Sequence, residues 1–365
     1  MTGLFTTRNF SLEETPNLNN RVAVVTVSIP SMHRYLPNTA HRVAMQESAK
    51  ASKAPSQFSP NNSNGINEET TAQLLLHGIE KVIIVARSQD KYTTACAEWR
   101  DRGISLGEDD NRVEFAKCDL SNIQEVASAA KQIKQTTNRI HILICNAAIG
   151  VPNEYTRSPQ NVESVFAANC VGHQILTTLL MPLLKNGVTP NSDVRIVVAS
   201  SSLHHVCRRL DLDLLCSASR IKWPALYDGV WRYGRSKLGN VLFAKELSRR
   251  LLDDGDSKCR HIYVNSFFPG NIVTEQWLGW DEYFGGVLGW FMRSVGAWGQ
   301  SVQDGAATAL YLAASDEIQE RDYRGRYFVP VATEYGPSSI AGDAKLARDL
   351  WVSGLVYTCM LGLTM

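Results

Sequence analysis

Tyr233 and Lys237 lie four residues apart in the stretch Trp231-Arg232-Tyr233-Gly234-Arg235-Ser236-Lys237-Leu238-Gly239-Asn240. The stretch opens a helical pattern that continues through Val241, Leu242, Phe243, Ala244, Leu247 and Leu251. On a helix this spacing puts both side chains on one face, one turn apart. A phenol ordinarily loses its proton near pH ~10, too high for acid/base work at neutral pH. A neighbouring ammonium favours the phenolate and is expected to lower that pKa. Such a pair can pass a proton to or from a substrate oxygen. A Tyr and a Lys at this spacing also occur by chance in most long helices, so the pair needs support from the elements around it.

Those elements alternate. Apolar runs that read as strands are Arg21 to Thr26, Lys81 to Ala86, Val113 to Cys118, Ile140 to Cys145, Val194 to Ala199, Ile262 to Ser266 and Gly325 to Val329. Helical patterns separate them: regular structure resumes at Asn62 to Glu69 and runs as a helix to about His77 with Gly78 as C-cap, then about 89–102, 122–135, 160–185, the Tyr233 helix and 303–314. Residues 203–228 read as irregular. Continuous apolar strands alternating with helices predict an α/β fold, a single Rossmann-type doubly wound parallel sheet with helices on both faces. In such sheets ligands bind at the carboxyl ends of the strands. Arg87, Asp119, Asn146, Ser201 and Pro269-Gly270 therefore share one edge.

Bulk properties narrow the class. The chain has 365 residues, 44% hydrophobic and 20% charged, and a net charge of +1, which offers no surface for nucleic acid. The cysteines at 96, 118, 145, 170, 207, 216, 259 and 359 show no metal-ligand spacing, so no metal is expected. Several fall inside apolar runs and read as reduced, buried thiols of a reducing compartment, and we expect a cytoplasmic protein. The N-terminus has no basic region followed by an apolar core. We divide the chain into a polar leader (1–20), a Rossmann-type domain (21–345) and an apolar C-terminal segment (346–365). That last segment is shorter than the ~20 residues of a membrane span, and core packing is favoured there over membrane contact.

At the level of motifs the chain resembles the short-chain dehydrogenase/reductase family, most closely the branch of retinol dehydrogenases and WW-domain oxidoreductases, from about residue 20 to about 355. Tyr233-x-x-x-Lys237 is similar to the family's catalytic motif. Arg195-Ile196-Val197-Val198-Ala199-Ser200-Ser201 is similar to the strand that delivers its serine, with Ser201 at that position and Ser200 or Ser202 one residue away. Cys145-Asn146-Ala147-Ala148 resembles the Asn-Asn-Ala-Gly turn, and Asn169-Cys170-Val171-Gly172-His173 the helix that completes the tetrad. Pro269-Gly270-Asn271-Ile272-Val273-Thr274 resembles the loop over the nicotinamide.

The resemblance implies hydride transfer between a nicotinamide and a carbonyl or alcohol carbon. It makes Tyr233 the acid/base and Ser201 the hydrogen-bond partner of the substrate oxygen. Lys237 would hold the ribose and lower the tyrosine pKa, and Asn169 would anchor a water. It assigns Gly65, Ile66, Asp119, Asn146, Ile272 and Thr274 to cofactor binding; an N-cap beside Ser121 is the plain alternative for Asp119. After the second strand stands Arg87, with no acid before Asp90, which favours NADP(H) over NAD.

One departure is large. The family's first turn reads Thr-Gly-x-x-x-Gly-x-Gly, whereas here Val27-Ser28 follows Thr26 and the remainder reappears only at Asn62-Ser63-Asn64-Gly65-Ile66-Asn67, with two of the three glycines missing. Residues 27–61, rich in Ser, Asn, Ala and Pro without a period, form an anomalous insertion. Val-Ser can be encoded by GTGAGT, a common splice-donor sequence, and we favour a translated intron over a functional surface insertion.

The leading expectation is an NADP(H)-dependent oxidoreductase acting on a medium or large apolar carbonyl or alcohol, with a flavour that resembles fungal secondary-metabolite enzymes. Homo-oligomerisation is left open. The alternatives are a catalytically impaired binding protein, because the glycine turn is broken, and a membrane-surface lipid-alcohol dehydrogenase. The Trp/Phe-rich segment 277–298 suggests the latter but reads better as a substrate lid or dimer contact.

Overall fold

The computed structural model describes residues 9–28, 65–152, 154–212, 225–271 and 300–359. Its centre is one eight-stranded sheet in the order β3-β2-β1-β4-β5-β6-β7-β8. The strands are β1 (Val22–Thr26), β2 (Lys81–Ala86), β3 (Val113–Lys117), β4 (Ile142–Cys145), β5 (Val194–Ala199), β6 (Ile262–Phe267), β7 (Tyr327–Val329) and β8 (Thr333–Glu334). All neighbours are parallel except β7 and β8, which pair antiparallel. The seven strands expected from the apolar runs are present. β8 was not expected, because a two-residue strand carries no period to read.

Alternation along each strand sorts side chains between two cores. Ala23, Val25, Val82, Ile84, Ile142 and Ile144 enter one, with Leu74 and Leu75 of helix α1 (Ile66–Leu76), Trp99 of α2 (Gln89–Asp101) and Leu310 and Leu312 of α6 (Val302–Ala314). Val24, Ile83, Val85, Leu143 and Cys145 enter the other. There they meet Val126 and Ile133 of α3 (Ile123–Thr136), Leu176 and Leu180 of α4 (Ser164–Gly187) and Leu242 of α5 (Ala225–Asp253). Helix α4 is long and apolar enough by composition to cross a membrane, yet that window is 78% buried in the protein. A short helix α7 (Glu317–Glu320) follows α6.

Several boundaries differ from the sequence reading. β4 begins at Ile142, because His141 and Ile140 spend their backbone groups on Val22 and Leu183. The region read as irregular holds a 3-10 turn at Ser202–Val206 and the first residues of α5. Gly78 does end α1 with φ +81°, where an L side chain is strained. The C-terminal segment forms α8 (Ala344–Cys359), whose Ala347, Leu350 and Trp351 join the second core; Trp351 stacks on Phe243 at 5.9 Å. Most of the insertion lies outside the described residues, but its first two positions do not. Val27 is buried and donates to the Val85 carbonyl (2.9 Å), so it continues β1, and Ser28 Oγ accepts the Ala148 N–H (2.6 Å). A boundary at 27 is therefore too early.

Strand order reverses between β2-β1 and β4-β5, and the carboxyl ends of β1 and β4 form the switch point at which such sheets take ligands. Buried histidines fasten both ends of this region. His141 Nδ1 accepts the Val22 N–H (2.9 Å) and His204 Nε2 accepts the Ser338 N–H (3.0 Å). Each nitrogen faces a donor, so it must stay unprotonated. Burial pushes both imidazoles from their ordinary 6.5 down to about 4. A depressed folded-state pKa means that the unfolded chain binds more protons between those values. Stability from these groups is fully present above pH 6.5 and is lost as pH falls toward about 4. Urea unfolding across that window should show the decline, and His141→Gln, whose amide oxygen can still accept from Val22, should flatten it.

Candidate active site

The C-terminal end of β1 is organised by one hydroxyl. Thr26 Oγ1 accepts the N–H groups of Asn146 and Ala147, both at 3.0 Å, at the end of β4. Its own proton goes to His173 Nε2 (2.8 Å). His173 is fully buried, and its Nδ1 donates to the Asn169 carbonyl (2.9 Å), which sets the tautomer. Burial holds its pKa near 4, so it is neutral. Asn169 sits in a π turn (Ala167–Val171) inside α4, and π turns concentrate at functional sites. Its Oδ1 accepts the Ile149 N–H (2.7 Å), while Nδ2 donates to the Ile149 carbonyl and to Ser236 Oγ, both at 3.0 Å. Ser236 Oγ donates in turn to the Tyr233 carbonyl (2.8 Å). One chain of hydrogen bonds thus links the end of β1, the loop after β4, α4 and α5.

Ser201 follows β5 and caps the 3-10 turn, its Oγ accepting the Leu203 N–H (3.2 Å). Its carbonyl accepts His204 Nδ1 (2.6 Å). The turn lies against α5 at Gly234, where an added Cβ would stand 2.6 Å from the Leu203 carbonyl oxygen. That approach sets the Ser201 hydroxyl beside the Tyr233 side chain, near enough to influence its ionisation. Of the three serines, Ser201 is the one that meets Tyr233; Ser200 Oγ donates to the Lys237 carbonyl (2.8 Å).

Lys237 Nζ is 5.6 Å from the Tyr233 ring centroid, and Lys237 is buried, donating to the Ala199 carbonyl at 3.2 Å. The expectation that it lowers the tyrosine pKa is corrected here. Burial pushes Tyr233 up to about 12, and the Ser201 hydrogen bond offsets only part of that. Burial also pulls Lys237 down to about 8. The ammonium donates to a backbone carbonyl, and desolvation of the phenolate is the largest influence on the tyrosine.

The remaining site residues are distributed as follows. Gly65 is the N-cap of α1 and Ile66 its first residue; a Cβ at Gly65 would meet nothing within 4 Å among the described residues. This open helix N-terminus fits the diphosphate of a dinucleotide. Asn67, where the family turn has its last glycine, instead carries an amide whose Oδ1 accepts from Asn146 Nδ2. Arg87 is exposed at the end of β2. Asp119 turns its Oδ1 to the Ser121 N–H (2.9 Å) and hydroxyl (2.7 Å), which is the plain local role. Asn122, three residues on, caps α3. Ile272 and Thr274 lie outside the described residues, as does the segment 277–298.

Sequence reading missed Thr26, His173, His204 and Ser236 as parts of this network. Thr26 and His173 were legible as members of motifs but not as partners, because 147 residues separate them.

The family model for short chain dehydrogenases matches residues 62–208. The short chain dehydrogenase/reductase dpchH of Colletotrichum higginsianum is 32% identical over 297 residues, 79% of this chain and 70% of that protein. The WW domain-containing oxidoreductase of Danio rerio is 31% identical over 295 residues, and the match spans 64% of its length. Among solved structures, an uncharacterized protein of Mycobacterium Paratuberculosis superposes with a TM-score of 0.62 at 22% identity, covering 95% of this chain and 96% of that one; it shares the fold.

Gly234→Ala should force the 3-10 turn away from α5. Overpacking at a tight contact costs about 1–3 kcal/mol, readable as a lowered urea midpoint with unchanged far-UV circular dichroism. Gly255→Ala, where a Cβ meets nothing within 4 Å, is the control and should change stability by less than about 0.5 kcal/mol.

Proposed function

Because the chain belongs to the short-chain dehydrogenase/reductase family and is thereby an oxidoreductase acting on CH–OH groups, we propose that it interconverts a medium or large apolar alcohol and its carbonyl with NADP(H). The observation that carries the reading is the placement of buried Lys237 5.6 Å from the Tyr233 ring, with Ser201 beside the phenol. When bound, the nicotinamide supplies or takes up the hydride at the substrate carbon. The chain supplies the proton. A phenol pushed up to about 12 holds its proton at neutral pH and donates it to the oxygen of a carbonyl being reduced. Ser201 Oγ, accepting from Leu203, keeps its own proton to give the same oxygen. Lys237 releases its proton more readily than a solvated lysine and is the next group in line; we assign Asn169 to anchoring a water beside it. In the opposite direction Tyr233 first passes its proton to deprotonated Lys237 or water and, as phenolate, takes up the alcohol proton.

Gly65 and Ile66 would hold the diphosphate, Asn146 the nicotinamide-side ribose with Lys237, and Ile272 and Thr274 the nicotinamide itself. Arg87, exposed and followed by no acid before Asp90, suits a 2′-phosphate, which a guanidinium binds through a two-pronged contact. A cytoplasmic location accords with the free, buried cysteines among the described residues. A place in secondary metabolism belongs to the same proposal.

A second reading is favoured by one observation. The Asn67–Asn146 bond occupies the turn where the family's backbone meets the cofactor, and a chain with this turn would keep the fold while binding dinucleotide weakly.

Three measurements separate the readings. Tyr233→Phe should reduce kcat by ~10²–10⁴-fold with the circular dichroism spectrum unchanged; a variant keeping a tenth of parental kcat sinks the acid/base assignment. Arg87→Ala should weaken NADPH binding and spare NADH, and equal losses exclude a 2′-phosphate contact. Asn67→Gly, alone and with residues 29–61 removed, should tighten NADPH binding in a fluorescence titration; tighter binding by the parent would make the insertion a working part of the enzyme.

A further inference from the structure

Glu163 serves two helices at once. It is fully buried, and its carboxylate oxygens accept the N–H groups of Val165 and Phe166, each at 3.0 Å, capping the first turn of α4. The same two oxygens face the guanidiniums of Arg232 and Arg235 on α5, each at 3.5 Å. Those arginines, buried like Glu163, stand one residue before and two residues after Tyr233. Asp228 adds a second carboxylate, 2.8 Å from Arg232 Nε, and the Glu154 carbonyl accepts Arg232 Nη1 at 3.0 Å. Arg235 also stacks over Trp231, 4.8 Å from its ring centroid. Two carboxylates and two guanidiniums balance in charge. On α4, Asn169 lies six residues beyond Glu163.

Burying four charges is a poor way to gain stability, since apolar residues of the same volume do as well or better. Fork-shaped guanidiniums against a carboxylate do, however, fix direction as well as distance. We propose that Glu163 is a positioning residue, setting the α5 turn that carries Tyr233 against the α4 turn that carries Asn169. It touches neither substrate nor cofactor. The effect on turnover rests on the reading of Tyr233 as the acid/base group, whereas the hold on Tyr233 itself does not. A displacement of about 1 Å at a catalytic group can cost ~10²-fold in rate.

The test uses the full chain labelled with 3-fluorotyrosine, in which the resonance missing from Tyr233→Phe reports position 233 among the 12 tyrosines. Glu163→Gln keeps the volume and an acceptor for the α4 cap but leaves two guanidiniums against the single carboxylate of Asp228. We expect a shifted Tyr233 resonance, kcat lowered by about tenfold or more, and KM for NADPH within about threefold of the parent, all at a temperature where circular dichroism shows the variant folded. Glu163→Gln combined with Arg235→Gln restores the charge balance and provides a folded variant if the single one fails; it should keep the shifted resonance and the low kcat. An unmoved Tyr233 resonance in either folded variant overturns the proposal, as does a kcat within threefold of the parent. Should Tyr233→Phe itself retain parental turnover, the acid/base reading falls alone, and the resonance still decides whether Glu163 holds Tyr233.

Discussion

The Thr26 hydroxyl is the contact on which the site depends. It accepts two backbone N–H groups from the loop after β4 and passes its proton to a buried, neutral histidine. Each of its hydrogen-bonding positions is used, and its partners come from two elements, the loop after β4 and helix α4. Removing a buried partner of this kind leaves groups with unmade hydrogen bonds, at about 1–3 kcal/mol each. The loop from Asn146 to Ile149, the π turn around Asn169 and the turn of α5 that carries Tyr233 are arranged relative to β1 through this single oxygen. The switch point of the sheet is thus a hydrogen-bonded junction as well as a topological one.

The electrostatics of the site follow from dryness. In water an ammonium one turn from a phenol is expected to draw the phenol's pKa down. Here Lys237 is buried and Tyr233 half-buried, the charged form of each is disfavoured, and their pKa values move apart, to about 8 and about 12. The outcome is a protein poised with a protonated phenol beside an amine that gives up its proton easily. The buried carboxylate and guanidinium groups behind Tyr233 act differently. They are mutually compensated, and loss of one member would leave an unpaired charge at a cost of about 3–5 kcal/mol. The same cleft wall therefore holds uncompensated groups where chemistry is proposed and compensated ones where geometry is held.

At the cofactor turn, chemistry and fold pull apart. Helix α1 begins where a dinucleotide-binding helix begins, with an open approach at Gly65. Two residues later an asparagine amide takes the space that a glycine would leave free and ties it to Asn146. Val27 and Ser28, first read as part of the insertion, complete β1 and its loop. Among the described residues, β1 pairs in parallel with β2 on one side and β4 on the other.

Continuous apolar runs made the seven parallel strands readable from the sequence, since a strand buried on both faces has no polar alternation to hide it. The positions of Tyr233 and Lys237 were readable because helical spacing is local, and Ser201 because it follows a strand with a clear end. What the sequence could not contain is whatever depends on two distant segments meeting. The Thr26–His173 bond, the Ser236–Asn169 bond and the Glu163 contacts with Arg232 and Arg235 all join residues from separate elements. The direction of the Tyr233 pKa shift belongs to the same class. Spacing along a helix establishes how near an ammonium stands, but whether its charge outweighs desolvation depends on how much water the other helices and strand ends exclude, and only the packed tertiary structure decides that.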